Sequence, residues 1–459
     1  MLWRGRLTPP NMVADGSRDD ETDLLCVPNR ISEQAPERPF GGSGEAALDT
    51  TAKSVGRFEA ENSRKQGRND RFRWQRHAAG LLGGKARVGL CRWSMVSRAA
   101  GVDVVTSTYE GSESRFAHYE GLQTCGSVWD CPCCSARISS TRRDELNRLL
   151  SWARAQGHTV QMITLTARHG REDDLADLLE RMKEAKRRWA QHRAHRRLKP
   201  AIVGSVTATE VTGGGANGWH PHFHMIIVTA EAVDLDELRE PWLASLRASG
   251  LDGTGAGWRV QDASQAGRYV AKWGAAEEVA FGARKKGRGG LTPMQLLAAS
   301  CDNDDGRAGA LWREYSAAFR GRRQLVWSRG LKALAGIGEI EDQEAAQDER
   351  QDGQQEDARV KIEAEDWSPR DRIRRGAQHR RARILDAAEA DGEAGVRRVV
   401  SETGTDNAHD LNQVIEVPDT QRWQPIPGGL ASVLMATISP PGFSGGACKM
   451  TPEKGVDHG

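Results

Sequence analysis

The pattern that most constrains this chain is a pair of strand-like segments, AIVGSVTATEVT at 201–212 and HPHFHMIIVTA at 220–230, separated by GGGANGW. β-Branched and apolar residues dominate both, and the Gly- and Asn-rich spacer makes a hairpin the natural connection. In a strand, residues two apart share a face, so His222 and His224 point together while Phe223 and Met225 point to the opposite side. Two imidazoles on one rigid strand form a platform for a divalent metal and lack only a third ligand. Glu210, on the partner segment, is one candidate. His220 is the other, although Pro221 makes the start of this strand irregular or places it at an edge. Three histidines in five residues, against 12 in the whole chain, argue against an incidental surface strand. Two histidines and one oxygen ligand leave open positions on a metal, which suits polarising a phosphate or activating water.

The second strong signal is Cys125-Gly-Ser-Val-Trp-Asp-Cys131-Pro-Cys133-Cys134. Cys131 and Cys134 form a C-P-x-C knuckle that lets two thiolates bind one tetrahedral ion. Cys125 is close enough to be a third ligand, and Cys91, on a short strand predicted at 88–93, is the best fourth; His118 and Cys133 are possible replacements. The cluster predicts a structural Zn²⁺ site, closed and noncatalytic. Buried free thiols are the plainer alternative.

Around these motifs the chain predicts an α+β protein. Strands are expected at 101–110 and 159–167. Helices are expected at 142–155, 172–192 and 264–280 and, beyond a basic loop, at 291–300 and through most of 310–336. The boundaries are a disordered leader with a basic end at 1–76, a zinc-binding lead-in at 77–140, a folded core at 141–335, and a charge-segregated, largely disordered tail at 336–459. Within the leader, RKQGRNDRFRWQR at 64–76 interleaves six cations with Phe72 and Trp74, a composition that could track phosphates and stack on bases or serve as a solvated linker. The tail has 12 acidic and 3 basic residues at 338–366, then seven Arg at 368–383. The net charge of +2 therefore reads as a cancellation between local blocks, in which the acidic tail is expected to screen the basic segments around the core. No apolar run is long enough for a membrane span and the start has no signal-peptide pattern, so a cytoplasmic protein is expected.

One of only four tyrosines, Tyr269, lies in Gly-Arg-Tyr-Val-Ala-Lys-Trp with Lys272 three residues on, on the same helical face. A phenol becomes a nucleophile when a cation or metal makes it more acidic; a core aromatic with a snorkelling lysine is the structural alternative. The ordered set of TLT (Thr164 to Thr166), HPHFH (His220 to His224) and YVAKW (Tyr269 to Trp273) resembles the three motifs of HUH-type rolling-circle replication initiators, in particular the single-tyrosine plasmid group. The likeness runs over about 124–332.

That resemblance implies an HUH endonuclease fold, with a central antiparallel sheet flanked by helices and the two histidines on its central strand. It implies Mg²⁺ or Mn²⁺ at the histidines and Tyr269 facing them on a helix. The implied activity is nicking of one strand at a plasmid double-strand origin, leaving a 5′-phosphotyrosyl link and a 3′-hydroxyl for a host polymerase, with a host helicase as a further partner. Thr164 and Thr166 could help hold DNA or support the metal ligands, with an ordinary buried strand as the plainer alternative. One departure concerns termination: the residue one turn before Tyr269 is Gln265, where such initiators carry a glutamate, and Asp262 is the nearest substitute. DNA contacts are expected from Arg187 and Arg188 in the basic run 183–199 and from Arg284, Lys285, Lys286 and Arg288 in the loop. A relaxase or transposase of the same chemistry, or a noncatalytic zinc-containing DNA-binding protein, are the alternatives.

Overall fold

The computed structural model describes residues 45–83, 86–109, 114–262, 290–347, 354–367 and 377–402. Two units are distinguished, Met1–Arg57 and Phe58–Gly459. The described part of the first is the opening of helix α1 (Glu45–Leu81); the remaining described residues belong to the second. After α1 come β1 (Val102–Tyr109), β2 (Arg115–Glu120), α2 (Pro132–Ala155), β3 (Thr159–Thr166), α3 (Leu175–Gln191), α4 (Arg193–Leu198), β4 (Ile202–Gly215) and β5 (Gly218–Thr229). The chain continues through α5 (Arg239–Ala248), β6 (Trp258–Gln261), α6 (Pro293–Asp302), α7 (Gly306–Phe319), β7 (Leu325–Trp327), α8 (Leu331–Leu334), α9 (Asp342–Gln347), β8 (Gln354–Ile362) and α10 (Ala377–Ser401). Among the described residues no helix is long and apolar enough to cross a membrane.

The larger sheet has the order β6-β3-β5-β4-β7 and is antiparallel throughout, with the histidine strand β5 at its centre. The β4–β5 hairpin closes with Gly215 opposite Gly218. Gly218 has φ +75°, and a Cβ there would lie 2.8 Å from the Gly170 carbonyl oxygen, so both conformation and space require glycine.

Alternation along β5 divides its side chains between two cores. Phe223, Met225 and Ile227 pack with Leu178, Met182, Ala185 and Trp189 of α3 and with α5. Ile226 and Val228 pack on the other face with Val206 and Ala208 of β4 and with Leu146, Leu149 and Ala153 of α2. Helix α3 starts where the Asp174 side chain accepts the Asp177 amide and has Arg188 in its last turn, as the helix dipole favours. Helix α2 starts ten residues before the predicted one, because Pro132 at its first turn has no amide to leave unpaired.

The smaller sheet, β2-β1-β8, brings together residues far apart in sequence. Segments assigned to the tail are folded here: Val360, Ile362, Trp367, Ile384 and Leu385 are all at most 5% exposed. Several of the tail's acids are paired within the fold: Asp342 with Arg142 (2.7 Å), Glu339 with Lys332 (3.3 Å) and Glu356 with Arg359 (3.0 Å). Cutting near 336 therefore removes a sheet strand and part of the core, rather than lifting a loose acidic screen from the rest.

Other expectations are corrected in the same way. The segment 64–76 lies within α1, and Phe72 and Trp74 are 5% and 4% exposed, so neither ring is available to stack on a base. Residues 88–93 form the end of a 3-10 turn followed by further turns instead of a strand, and 115–120 form an additional strand. The predicted helix through 310–336 breaks after Phe319, where Gly321 adopts φ +77° and Leu325–Trp327 pairs with β4.

Trp367 links the early and late parts of the chain: its Nε1 donates to the Trp93 carbonyl (2.8 Å), and Tyr119 meets its ring edge-on at 5.2 Å. Trp367→Ala should lower unfolding free energy by about 3–5 kcal/mol, as for other buried large aromatics, measured by urea denaturation.

Candidate metal centres

The hairpin register sets Glu210 directly opposite His222 and Ala208 opposite His224, while β3 places Thr166 and Thr164 opposite the same two histidines. All these side chains share one face. His222 Nε2 lies 3.3 Å and His224 Nε2 3.5 Å from the same Glu210 oxygen, Oε2. The outer nitrogens are also engaged: His222 Nδ1 with the His220 carbonyl (3.3 Å) and His224 Nδ1 with the Thr164 hydroxyl (3.1 Å). Nδ1 of His222 faces the His220 carbonyl, which leaves Nε2 as the ring nitrogen turned towards Glu210. Burial opposes ionisation of Glu210, but hydrogen bonds from His222 and His224 outweigh it and hold the carboxyl well below its usual range. The result is two imidazole nitrogens and an ionised carboxylate converging on one point, a donor set that fits a six-coordinate divalent ion with positions left open.

His220 is turned elsewhere. Its Nδ1 pairs with His169 Nε2 at 2.7 Å, and His169 Nδ1 in turn meets the Asn217 carbonyl at 2.9 Å. Burial, with the neighbouring His222 and His169, lowers the His220 pKa to about 4. The third ligand atom grouped with the two histidines is thus Glu210 and not His220. His169 had no signal in the sequence, being a lone histidine in the loop after β3. Thr166 contacts the Gly257 carbonyl (3.3 Å) and not an imidazole, so the two hydroxyls of the TLT segment have separate tasks.

The cysteine cluster comprises the four residues named from spacing. Cys91, Cys125, Cys131 and Cys134 are at most 5% exposed and their ligand atoms form one group. Sulfur separations are 3.5 Å for Cys91–Cys134, 3.6 Å for Cys125–Cys134 and 3.7 Å for Cys131–Cys91. A tetrahedral zinc with bonds of about 2.3 Å sets its sulfurs about 3.8 Å apart, so the cluster fits that ion closely. Hydrogen bonds from Cys125, Cys131 and Cys91 lower the Cys134 thiol pKa against the effect of burial. Cys133 points away, towards Gln75 Oε1 (3.7 Å) and the Arg71 carbonyl (3.9 Å), and His118 is outside the group.

The turn that brings Cys91 in is conformationally costly. Arg92 adopts φ 54°, a left-handed state that costs a non-glycine residue roughly 1–2 kcal/mol. Its amide donates to the Gln123 carbonyl at 2.7 Å, which holds the turn against the strand of chain leading to Cys125. Gln75 of α1 donates to the carbonyls of Val88 (3.0 Å) and Cys91 (2.7 Å) on the inner side.

Of the remaining predicted residues, Arg187 and Arg188 are on α3, on the face of the sheet opposite the histidines, and both pair with Glu184 (2.7 and 2.8 Å). Tyr269, Lys272, Gln265, Arg284, Lys285, Lys286 and Arg288 lie outside the described residues. Asp262 directly follows β6, the edge strand beside β3.

The metal residues fall inside the stretch that can be compared with known proteins. Residues 119–233 match the replication-protein family. That match runs from the end of β2 through β5, and so includes Glu210, His222 and His224. The chain is also 30% identical over 295 residues to "Protein rep" of Streptomyces lividans, covering 47% of this chain and 64% of that protein. It is 32% identical over 135 residues to "Neomycin resistance protein" of Streptomyces cyanogenus, covering 24% of this chain and 31% of that one. The chain thus spans less than two thirds of either relative. No solved structure matches.

Two measurements probe these sites. Thr164→Val removes the hydroxyl that positions His224 and should weaken Mn²⁺ binding about 10- to 100-fold, read by calorimetry, with the thermal melt little changed. Elemental analysis should give one zinc per chain for the wild type and none for Cys134→Ser, with a lower melting temperature, whereas Cys133→Ser should keep the metal.

Proposed function

We propose that this chain is a rolling-circle plasmid replication initiator of HUH type that nicks one DNA strand at the double-strand origin. The observation that carries this reading is the convergence of His222 Nε2, His224 Nε2 and Glu210 Oε2 on one face of a central strand, inside the segment matching the replication-protein family. A Mg²⁺ or Mn²⁺ ion held there would withdraw charge from the non-bridging oxygens of a phosphodiester.

In this reading Tyr269 supplies the nucleophile. Its phenolic oxygen forms a bond to phosphorus, the bond to the 3′-oxygen breaks, and the phenolic proton is balanced by protonation of that oxygen. The products are a 5′-phosphotyrosyl chain and a free 3′-hydroxyl, and the bond energy is conserved for rejoining. The other three tyrosines support the assignment by their positions. Tyr119 is buried and donates to the Arg381 carbonyl at 2.8 Å, Tyr315 is buried against Phe319, and Tyr109 lies in the smaller sheet against Phe116. The described residues flanking 263–289 also bracket the site. Asp262 follows β6, and Leu291 exchanges backbone hydrogen bonds with Gly213 on β4, just beyond Glu210. Lys272 would lower the phenol pKa, and the basic residues from Arg284 to Arg288 would hold the displaced strand.

Thr164 and His220 act as positioning residues here, the first through His224 and the second through its carbonyl on His222 Nδ1. The structural zinc would have no part in the reaction and would brace the start of α2.

Wild-type protein incubated with Mn²⁺ and a single-stranded oligonucleotide from the replicon's origin should yield a covalent adduct, and mass spectrometry should place it on Tyr269. Tyr269→Phe should form none. An adduct that persists in that variant would refute the assigned nucleophile.

A further inference from the structure

A cavity of about 250 Å³ opens beside the cysteine cluster, between α1, β2 and the first turns of α2. Five arginines line it: Arg68 and Arg71 from α1, Arg92 from the turn after Cys91, and Arg137 and Arg143 from α2. No Asp or Glu is among its lining residues. Arg68 is matched from behind by Asp386 (2.5 Å) and Glu389, Arg92 donates to the Ala346 carbonyl (3.1 Å), and Arg143 donates to Ser140 on its own helix (3.3 Å). The lining itself thus gathers five guanidinium groups in one cavity.

His118 provides a separate indication. It lines the same cavity and is only 9% exposed, yet its Nε2 has no hydrogen-bond partner and lies 3.6 Å from the nearest carboxylate oxygen, of Glu120. Glu120 thus meets the ring as an ion-pair partner but leaves Nε2 without a hydrogen bond of normal length, which a further acceptor would supply. The type of cation matters as well. Guanidinium forks match phosphate oxygens two at a time, which a lysine ammonium does not. The volume is below the roughly 300–1,000 Å³ of pockets that enclose a drug-sized ligand, so the cavity suits one small anionic group.

We propose that this arginine-lined cavity binds a backbone phosphate of duplex DNA, apart from the strand handled at Glu210, His222 and His224. The identity of the polyanion rests on the reading of the chain as an origin-nicking protein; the anion preference rests on the cavity alone. Helix α2 joins the two places. Its first turns wall the cavity, and its later turns pack on the sheet face that carries the histidines. Duplex held at the cavity would thus be fixed to the same rigid element as the metal site.

The test uses the full-length Tyr269→Phe chain as parent, so that cleavage does not enter and failure of the nicking reading leaves this result standing. Binding of fluorescently labelled origin duplex is followed by anisotropy across a salt series. Combining Arg137→Gln with Arg143→Gln should weaken binding on every duplex sequence and reduce the slope of log affinity against log salt by about one for each phosphate the variant no longer neutralises. An unchanged slope overturns the proposal. Should the double variant lose zinc or its cooperative melt, Arg137→Lys decides: it keeps the charge but not the fork, and duplex affinity equal to the parent's overturns the proposal. ATP and inorganic phosphate form the last arm. If either raises the melting temperature of the parent but not of the variants, while duplex binding is the same in both, the cavity serves a free phosphate compound and the assignment to DNA fails.

Discussion

The pairing register of β4 against β5 is the constraint on which the rest of the molecule depends. A slip of one residue would turn Glu210 to the α3 side of the sheet and leave the histidines without a carboxylate. Both faces oppose such a slip. Phe223 and Met225 are committed to the α3 core and Ile226 and Val228 to the α2 core, so shifting the strand would expose one set and force histidines into the other. Gly218, squeezed against the Gly170 carbonyl, fixes the register at the turn. The ligand geometry is therefore set by hydrophobic packing on strands, and the polar contacts to Nδ1 refine it.

The cysteine cluster plays the corresponding part for the smaller sheet. Around it, groups from four separate stretches meet: Gln75 of α1, the Arg92 turn, Tyr119 of β2 and Arg381 of α10. The Arg381 guanidinium lies 4.1 Å from the Phe72 ring centre and 3.9 Å from that of Trp93, and donates to the Arg92 carbonyl (3.0 Å) and Gln75 Oε1 (3.1 Å). A buried cation costs several kcal/mol to desolvate unless it is paired or fully hydrogen-bonded. Here two aromatic faces and two oxygens supply the compensation, next to a cluster whose zinc form would carry net negative charge.

Much of this was legible in the sequence where spacing alone carries the information. Period-two alternation marked the histidine face, the hairpin offered Glu210 beside His220 as the third ligand, and cysteine spacing pointed to the four thiols with Cys133 and His118 as alternatives. The rest is hidden because the meaning of a residue there depends on a distant partner. Arg68 looks like part of a basic linker until Asp386 and Glu389 are brought to it, and Phe72 looks like a stacking platform until Arg381 covers it. The acids beyond 336 read as a screen for the same reason, since nothing local shows that Asp342 meets Arg142. His169 pairs with His220 across a loop, and no periodicity marks such a contact.

The arrangement of β1 between β2 and β8 has a consequence for biosynthesis. The pairing of β1 with β2 and the β4–β5 hairpin of the larger sheet join neighbours in sequence, so they can form as the chain emerges from the ribosome. The outer edge of β1 is completed only by residues 354–362, and the aromatic cage of Phe72 and Trp93 is filled only by Arg381. Until that point is translated, a strand edge and the two aromatic faces near the cysteine cluster remain uncovered. A ribosome stalled late in the message would therefore leave a chain whose histidine sheet could be finished while the framework around its cysteines was still open.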